Sequence, residues 1–502
     1  MLAIMTTASS LSLAETKTKT EVLTSDQYHE ILKSRDPRFD GMFFVGVSTT
    51  GIYCRPVCRV RLPRADRCNY FRHAASAEQA GYRPCLRCRP ELAPGNSRND
   101  ALKTLAQKVA AKIQSGALID ESIETLAQEF SISSRQVRRA IQSEFGVSPI
   151  ALAQTYRLLM AKQLLTDTKL KITDLAFASG FSSVRQFNYA FKKHYGLNPS
   201  TLRKKNKLTE ESAGIILRLA YRPPLAWQQL IEFLASRSAG YLDQVDGSRY
   251  SRSICLGDHR GWFTAWALPE KNQIIVEVSD TLLPCLTLLK AKLRFLFDLD
   301  ANPVVVESHL LKQKVLKPII KKLPGLRVPG AVDGFELALR AVLGQQISVK
   351  AATTIFGRFV TAFGEEIKTP FEKVCRLAPR ADIIANQSLE TIIGLGLTRK
   401  RAETVLLLAR AVFKKEVNLT MGADAVAAEQ ALLAIRGIGP WTAQYIAIRA
   451  FADADALPDS DLGLFKALNV SSSKEVIAAT EKWRPWRAYG ALYLWSSLNS
   501  GG

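Results

Sequence analysis

The sequence predicts a multi-domain chain, mainly α with α+β parts. Three observations carry that expectation. Four cysteines fall in two short-range pairs near the N-terminus. Two helical units about 50 residues apart share one grammar. A glycine-bearing turn between apolar helices follows a stretch that alternates strand-like and helical patterns. At 502 residues the chain can hold three or four domains, each with its own core.

The cysteines come first in the chain. Cys54 and Cys58 stand in GIYCRPVCR, Cys85 and Cys88 in RPCLRCRP. Spacings of C-x3-C and C-x2-C, joined by a long loop, suit one tetrahedral Zn2+ held from two converging turns. Between Cys54 and Arg89 there are nine arginines and no lysine, against two acids, Asp66 and Glu78. Arginine there can offset the negative charge of a zinc–thiolate centre, lower thiol pKa and face phosphate. Spacing alone favours a closed structural zinc ribbon, because most sites with four cysteine ligands are closed and inert. Cys68 stands outside both pairs and reads as a bystander. Cys255, Cys285 and Cys375 are scattered in apolar sequence. That pattern predicts a metal site plus buried thiols in a reducing cytoplasm, not a disulfide framework.

Net charge is +22, which favours a nucleic-acid partner over a metabolic substrate; a membrane surface is the competing explanation. No apolar run is long enough to span a bilayer. The opening MLAIMTTASSLSLAETKTKT lacks the charged start of a signal peptide and reads as a disordered tail over 1–20. APGNSRND at 93–100 and RKKNKLTEESAG at 203–214 read as linkers, and KKLPGLRVPG at 321–330 as a hinge that can also lie inside a domain. The domains expected are 21–95, 100–205, 213–302 and 303–497.

The stretch DPRFDGMFFVGVSTTGIYCRPVCRVR, continued to GYRPCLRCRPEL, resembles the N-terminal zinc domain of the Ada methylation-response family. The resemblance implies that the zinc-bound thiolate of Cys54 takes a methyl group from a DNA methylphosphotriester, with Cys58, Cys85 and Cys88 completing the site. Zinc keeps the sulfur ionised and nucleophilic at neutral pH. Methylation turns the thiolate into a thioether. Repulsion with the phosphate backbone then falls, which makes a switch from weak to strong DNA binding.

Between the first two linkers the chain reads as wholly helical. IETLAQEFSISSRQVRRAIQSEFGVSP and ITDLAFASGFSSVRQFNYAFKKHYGLNPSTLR each give a short helix, a turn, a Ser-started helix and G-x-x-P. They predict paired helix-turn-helix units. Ser133, and Ser182 or Ser183, are candidate N-caps. Leu126, Phe130, Val137, Ile141 and Phe145 should face one core, and Leu175, Phe181, Phe187 and Phe191 the other. Arg135, Gln136 and Arg138, with Arg185, Gln186 and Asn188, should face outward toward a major groove, or else form a solvated helix face. The double unit resembles the AraC-type regulator domain, whose role implies RNA polymerase as a further partner.

From Ile215 the grammar changes. The stretch to FTAW resembles the N-terminal α+β domain of the AlkA glycosylases. Farther on, Ile435–Ala443 reads IRGIGPWTA and is followed by PDSDLGL, a pattern similar to the helix-hairpin-helix glycosylase superfamily, AlkA branch. Gly437, Ile438 and Gly439 would bring backbone N–H groups to a phosphate at a helix N-terminus. The resemblance implies a catalytic aspartate after the hairpin helix. DLGL puts it at Asp461, with Asp459 two residues away as competitor; either acid can also simply cap the next helix. A carboxylate there would stabilise an oxocarbenium-like sugar as a cationic alkylpurine leaves. Trp441, Tyr445 and Trp495 are candidates to stack on a flipped cationic base, or are ordinary core aromatics. Gln444 and Tyr445 stand where bifunctional relatives carry a lysine, so a monofunctional 3-methyladenine and 7-methylguanine glycosylase is expected. Gln346 stands where the AlkA branch inserts a leucine wedge; Ile347 is the alternative wedge. No P-C-H-R occurs, so no O6-methylguanine repair is expected.

The chain thus reads as a methylphosphotriester sensor, an activator and an alkylbase glycosylase in one polypeptide. It is expected on double-stranded DNA, both alkylated and promoter, in a bacterial cytoplasm at the nucleoid. Two alternatives stay open: a glycosylase delivered by a purely structural DNA-binding half, and a transcription factor with an inactive glycosylase half.

Overall fold

The computed structural model describes residues 23–94, 105–205 and 215–499. The expected tail over 1–20 and most of the two expected linkers lie outside the described residues. The N-terminal module is built on a four-stranded sheet in the order β3–β1–β2–β4, with β1 Phe44–Val47, β2 Ile52–Cys54, β3 Cys68–Phe71 and β4 Arg83–Pro84. Strand β1 runs antiparallel to β2 and β3, and β2 pairs in parallel with β4. The parallel pair matters for the site, because it brings the end of β2 beside the turn that follows β4.

Two helix-turn-helix units follow, joined by the long helix Pro149–Asp167. In the first, Ser133 caps helix Ser134–Phe145 in a full capping box with Gln136. In the second, Ser183 rather than Ser182 caps helix Val184–Tyr195. Leu126, Val137, Ile141 and Phe145 are buried, as are Leu175, Phe181, Phe187 and Phe191; Phe130 is half-buried at the edge of its core.

The third module is a fully antiparallel sheet in the order β5–β9–β8–β7–β6: β5 Ile215–Ala220, β6 Asp243–Asp246, β7 Arg249–Leu256, β8 His259–Leu268 and β9 Gln273–Val278. Helices and the loops between them then form two further cores. The hairpin helix Pro440–Ala450 serves both, with Ile446 and Ala450 in one and Ala447 and Ile448 in the other. That double anchorage fixes the direction of its exposed N-terminal end.

Tertiary contacts refine three sequence readings. The 321–330 stretch takes the second of its two readings, inside a domain: Leu326 and Val328 are buried, and Arg327 is buried with its guanidinium donating to the carbonyls of Arg222 and Pro224. Cys255, Cys285 and Cys375 are half-buried rather than buried. The segments flanking the second expected linker pack against each other. One continuous core runs from Leu158 through Phe187, Phe191 and Leu202 into Ile215, Leu217, Phe263 and Leu286. Hydrophobic faces left uncovered by a two-helix unit are costly, and the neighbouring sheet module covers them. Among the described residues, no helix is long and apolar enough to cross a membrane.

Because that core is shared, Phe191→Ala should destabilise both sides by about 3–5 kcal/mol. Hydrogen exchange is expected to lose protection together in Val184–Tyr195 and in β5. Loss confined to the helix would contradict a single core.

Candidate metal centre, DNA-binding surface and base pocket

The metal centre assembles at the parallel β2–β4 pair. Cys54 ends β2, and the Cys85 N–H donates to the Tyr53 carbonyl at 3.0 Å, which locks the second cysteine turn against the first. The sulfur atoms of Cys54, Cys58, Cys85 and Cys88 all lie within 4.8 Å of one another. Four Zn–S bonds of about 2.3 Å require sulfurs about 3.8 Å apart, so the donor set fits tetrahedral Zn2+. Crowding splits the thiols: contact with Cys58 above all pushes Cys54 up, and contact with Cys54 above all holds Cys58 down at about 7. A cation lets all four stay ionised. Arg55 sits between the first two ligands and is buried. Its Nε donates to Asp40 Oδ1 at 2.9 Å, its Nη1 to the Cys88 carbonyl at 3.1 Å, and its backbone N–H to Cys88 Sγ at 3.4 Å. In the sequence it reads as one of the phosphate-facing arginines. Seven of the nine are exposed (Arg59, Arg61, Arg64, Arg67, Arg72, Arg83 and Arg87), whereas Arg55 and Arg89 are spent on internal contacts. Cys54 and Cys58 line a small cleft with Arg35, Val45, Val60 and Leu62.

On the helix-turn-helix units, Arg135, Gln136, Arg138, Arg185, Gln186 and Asn188 are all exposed. Two carry a second duty. Gln136 Oε1 accepts from the Ser133 N–H at 2.8 Å, and Gln186 Oε1 accepts from Ser182 Oγ at 2.9 Å, which leaves the amide N–H2 ends outward. Arg138 also pairs with Glu124 at 3.4 Å. Tyr189 joins this surface, 68% exposed. Sequence reasoning passed over it because an aromatic beside apolar neighbours reads as core.

At the hairpin the two glycines differ. Gly437 has φ +95°, and a Cβ there would lie 2.0 Å from Thr404 Oγ1, so it must be glycine to fold. Gly439 has open space around the same position and N-caps the hairpin helix. Ile438, expected in the phosphate loop, is buried, and its N–H donates to the Ile435 carbonyl at 3.0 Å. It pins the turn to the core, and its N–H is engaged within the turn. Gln346 is exposed with φ +57°, an uncommon left-handed conformation for a non-glycine residue. Its neighbour Gln345, which no motif had flagged, holds it there by donating to the Gly437 carbonyl and to Thr442 Oγ1, each at 3.0 Å.

Asp461 and the three aromatics come together. Asp461 caps helix Leu462–Leu468, with Oδ1 accepting from the Leu464 N–H at 2.9 Å. The same carboxylate accepts from two indoles: Trp495 Nε1 to Oδ1 and Trp441 Nε1 to Oδ2, each at 2.9 Å. Gly463 leaves room for this, since a Cβ there would lie 2.9 Å from Asp461 Oδ1. Trp441 and Tyr445 are stacked, with centroids 5.5 Å apart and planes 4° off parallel, and Trp495 is inclined to Tyr445 at 6.4 Å. Asp459 makes no side-chain hydrogen bond among the described residues. Gln444 is engaged structurally, donating to Glu429 Oε1 at 2.6 Å and accepting from the Leu457 N–H at 2.8 Å. Burial would raise the Tyr445 phenol, but the guanidinium groups of Arg449 and Arg237 outweigh it and bring the phenol down to about 8. Arg449 Nη1 donates to its oxygen at 2.9 Å.

Four family models match the chain: "Metal binding domain of Ada" over residues 27–91, "Helix-turn-helix domain" over 126–205, "AlkA N-terminal domain" over 216–333 and "HhH-GPD superfamily base excision DNA repair protein" over 339–480. A protein of Mycobacterium tuberculosis named "Probable bifunctional transcriptional activator/DNA repair enzyme AlkA" is 34% identical over 483 residues, covering 94% of this chain and 96% of the relative. "DNA-3-methyladenine glycosylase 2" of Escherichia coli is 32% identical, over 55% of this chain and 95% of its own. "Bifunctional transcriptional activator/DNA repair enzyme Ada" of the same organism is 31% identical, over 32% of this chain and 44% of its own.

The Tyr445 phenol gives a direct check on the pocket electrostatics. In the tyrosinate absorbance difference between wild type and Tyr445→Phe, a titration near pH 8 is expected. Arg449→Met removes a cation that favours the phenolate, so the step should move to higher pH. An unmoved step would mean that the arginine does not set it.

Proposed function

The chain belongs to the family of bifunctional transcriptional activators and DNA repair enzymes of the AlkA type, and we propose that it couples three activities on DNA through residues in named roles. It is a zinc protein that binds DNA, accepts methyl groups from methylphosphotriesters, regulates transcription and excises alkylated bases. The observation that carries the excision chemistry is the Asp461 carboxylate held by two indole N–H groups beside a stacked aromatic pair. The proposed limits of the modules are 21–95, 100–205, 213–302 and 303–497.

Base excision starts at the hairpin. Gly439 and the first turn of the hairpin helix take a phosphate by backbone N–H groups and helix dipole. Gln346, on its pinned loop, enters the space the flipped nucleotide leaves. The π faces of Trp441, Tyr445 and Trp495 bind an N3- or N7-alkylated purine, which is cationic and needs little help to leave. Asp461 then faces the oxocarbenium-like sugar. Its two indole partners fix the carboxylate without cancelling its charge, which is the preorganisation such a transition state rewards. Gln444 offers no amine, and its carboxamide is already bonded at both ends, so the product is an intact strand with an abasic site.

In the first half, bound Zn2+ supplies a thiolate that stays ionised at neutral pH. Cys54 is the methyl acceptor: the methyl carbon leaves the phosphotriester oxygen for Sγ, and the phosphodiester anion departs. Val45, Val60 and Leu62 shelter the resulting thioether. Arg135, Gln136, Arg138, Arg185, Gln186 and Asn188 read or grip promoter DNA, and RNA polymerase is the partner through which activation acts. The setting is the cytoplasm of a bacterial cell, at its nucleoid.

Reaction with methylphosphotriester DNA should leave one S-methylcysteine per chain, at Cys54, by peptide mass mapping. The modified protein should then bind its operator more tightly. One charge removed at ~8 Å and effective dielectric ~20 is worth about 2 kcal/mol before screening, so the gain should shrink with salt. A methyl group on any other cysteine defeats the assignment of the acceptor.

Asp461→Asn should cut release of 3-methyladenine from methylated duplex by about 10²–10³-fold while DNA binding persists. Asp459→Asn should leave release near wild type. Gly439→Val should weaken binding to all duplexes alike, because the hairpin contacts only the backbone. The opposite result for the two aspartates would move the active carboxylate to Asp459.

A further inference from the structure

One helix carries polar groups that neither of the proposed sites uses. On Pro149–Asp167 the side chains of Lys162 and Asp167 are wholly buried. Buried charges must be paired, and here the partners come from other modules. Lys162 Nζ donates to the carbonyl of Cys85, a zinc ligand, at 3.2 Å and pairs with Glu91, also wholly buried. Glu91 Oε1 accepts from Arg89 Nε at 3.0 Å, and Arg89 Nη1 meets Asp167 Oδ1 at 2.6 Å. The same Asp167 oxygen forms an ion pair with Nη1 of Arg218, on β5 of the glycosylase half, at 2.9 Å. The charges alternate without a break: Lys162, Glu91, Arg89, Asp167, Arg218. Three cations against two anions leave one positive charge in surplus, which suits the negative zinc–thiolate centre beside it.

Two further facts point the same way. Arg89 directly follows the ligand Cys88 and has φ +57°, a conformation that costs energy in a non-glycine residue and persists only where the surroundings impose it. The next residue on the helix, Gln163, makes a second tie to the glycosylase half: its Nε2 donates to the Arg218 carbonyl at 2.9 Å, and its Oε1 accepts from Lys290 Nζ at 2.6 Å.

We propose that the glycosylase half is a working part of the zinc centre: the charge chain from Lys162 to Arg218 positions the Cys85–Cys88 turn. Arg218 is then a positioning residue that controls how firmly the metal is held and how readily Cys54 reacts. This rests on the zinc and methyl-acceptor reading above, and it adds a direction of influence, from strand β5 back to the sensor.

The test uses the full chain as wild type, Arg218→Met and Arg218→Lys. Zinc transfer to a chromophoric chelator, methyl transfer to Cys54 and release of 3-methyladenine are measured on each. Arg218→Met should release zinc faster by about threefold or more and methylate more slowly, because residues behind a metal's ligands tune its affinity. Arg218→Lys should recover much of both, since it restores the charge opposite Asp167. Base release should match wild type in both variants, which also certifies the fold. Wild-type zinc release in Arg218→Met overturns the proposal, as does equal loss in the Met and Lys variants. If wild type holds zinc but accepts no methyl group, the methyl-acceptor reading has failed, while the zinc-release arm still decides this inference. A chain that binds no zinc overturns both.

Discussion

The helix Pro149–Asp167 is buried around nearly its whole circumference, and the rest of the molecule is arranged to satisfy it. Such a helix must find apolar neighbours on every side. It does so by lying among the zinc module, both helix-turn-helix units and the sheet of the glycosylase half. Its apolar residues divide accordingly: Leu152 and Ala153 go to the first core, and Leu158, Leu164 and Leu165 to the core shared with β5 and β9. Its buried polar residues impose the stronger condition. Thr155, Lys162, Gln163 and Asp167 each lose water, so each requires a partner of fixed geometry. Thr155 donates to Glu78 of the zinc module at 2.8 Å, and the remaining three reach Glu91, Cys85, Arg89, Arg218 and Lys290.

That arrangement bears on how sensing and repair coexist in one chain. A domain tethered by a linker would act by raising the local concentration of its neighbour. Here the modules share cores and buried ion pairs, so their relative placement is part of the fold. Glu78 shows the degree of enclosure. Burial pushes its carboxyl up to about 7, against the hydrogen bonds from Thr155 and Tyr53 and the charge of Lys162 that favour the ionised form. An acid that lies across a module boundary titrates there as a core residue does.

The base pocket follows a related economy. One carboxylate performs three structural tasks: it caps a helix and orders two indoles, accepting a hydrogen bond in each. The cap and the indole contacts do not exclude each other, because one carboxylate makes both. Gln345 applies the same principle to the loop opposite, where one amide ties the exposed Gln346 turn to the hairpin.

Much was legible in the amino-acid sequence. Cysteine spacing announced the metal cluster, since thiolates in two short pairs have few other uses. Helix grammar announced the paired DNA-binding units and their N-caps, because capping and 3.6-residue periodicity are local effects. The G-I-G-P-W-T-A turn and the DLGL segment located the hairpin and its carboxylate. What escaped was set by contacts between residues far apart in the chain. Arg55 reads as one more surface cation until Asp40 and the Cys88 carbonyl enclose it. Ile438 reads as part of a phosphate loop, and only the fold places its side chain in a core. Arg218 and Lys162, 56 residues apart, carry no motif at all. Their roles arise only when the tertiary fold buries charge at a boundary between modules, and the physics of unpaired buried charge then decides which side chains must meet.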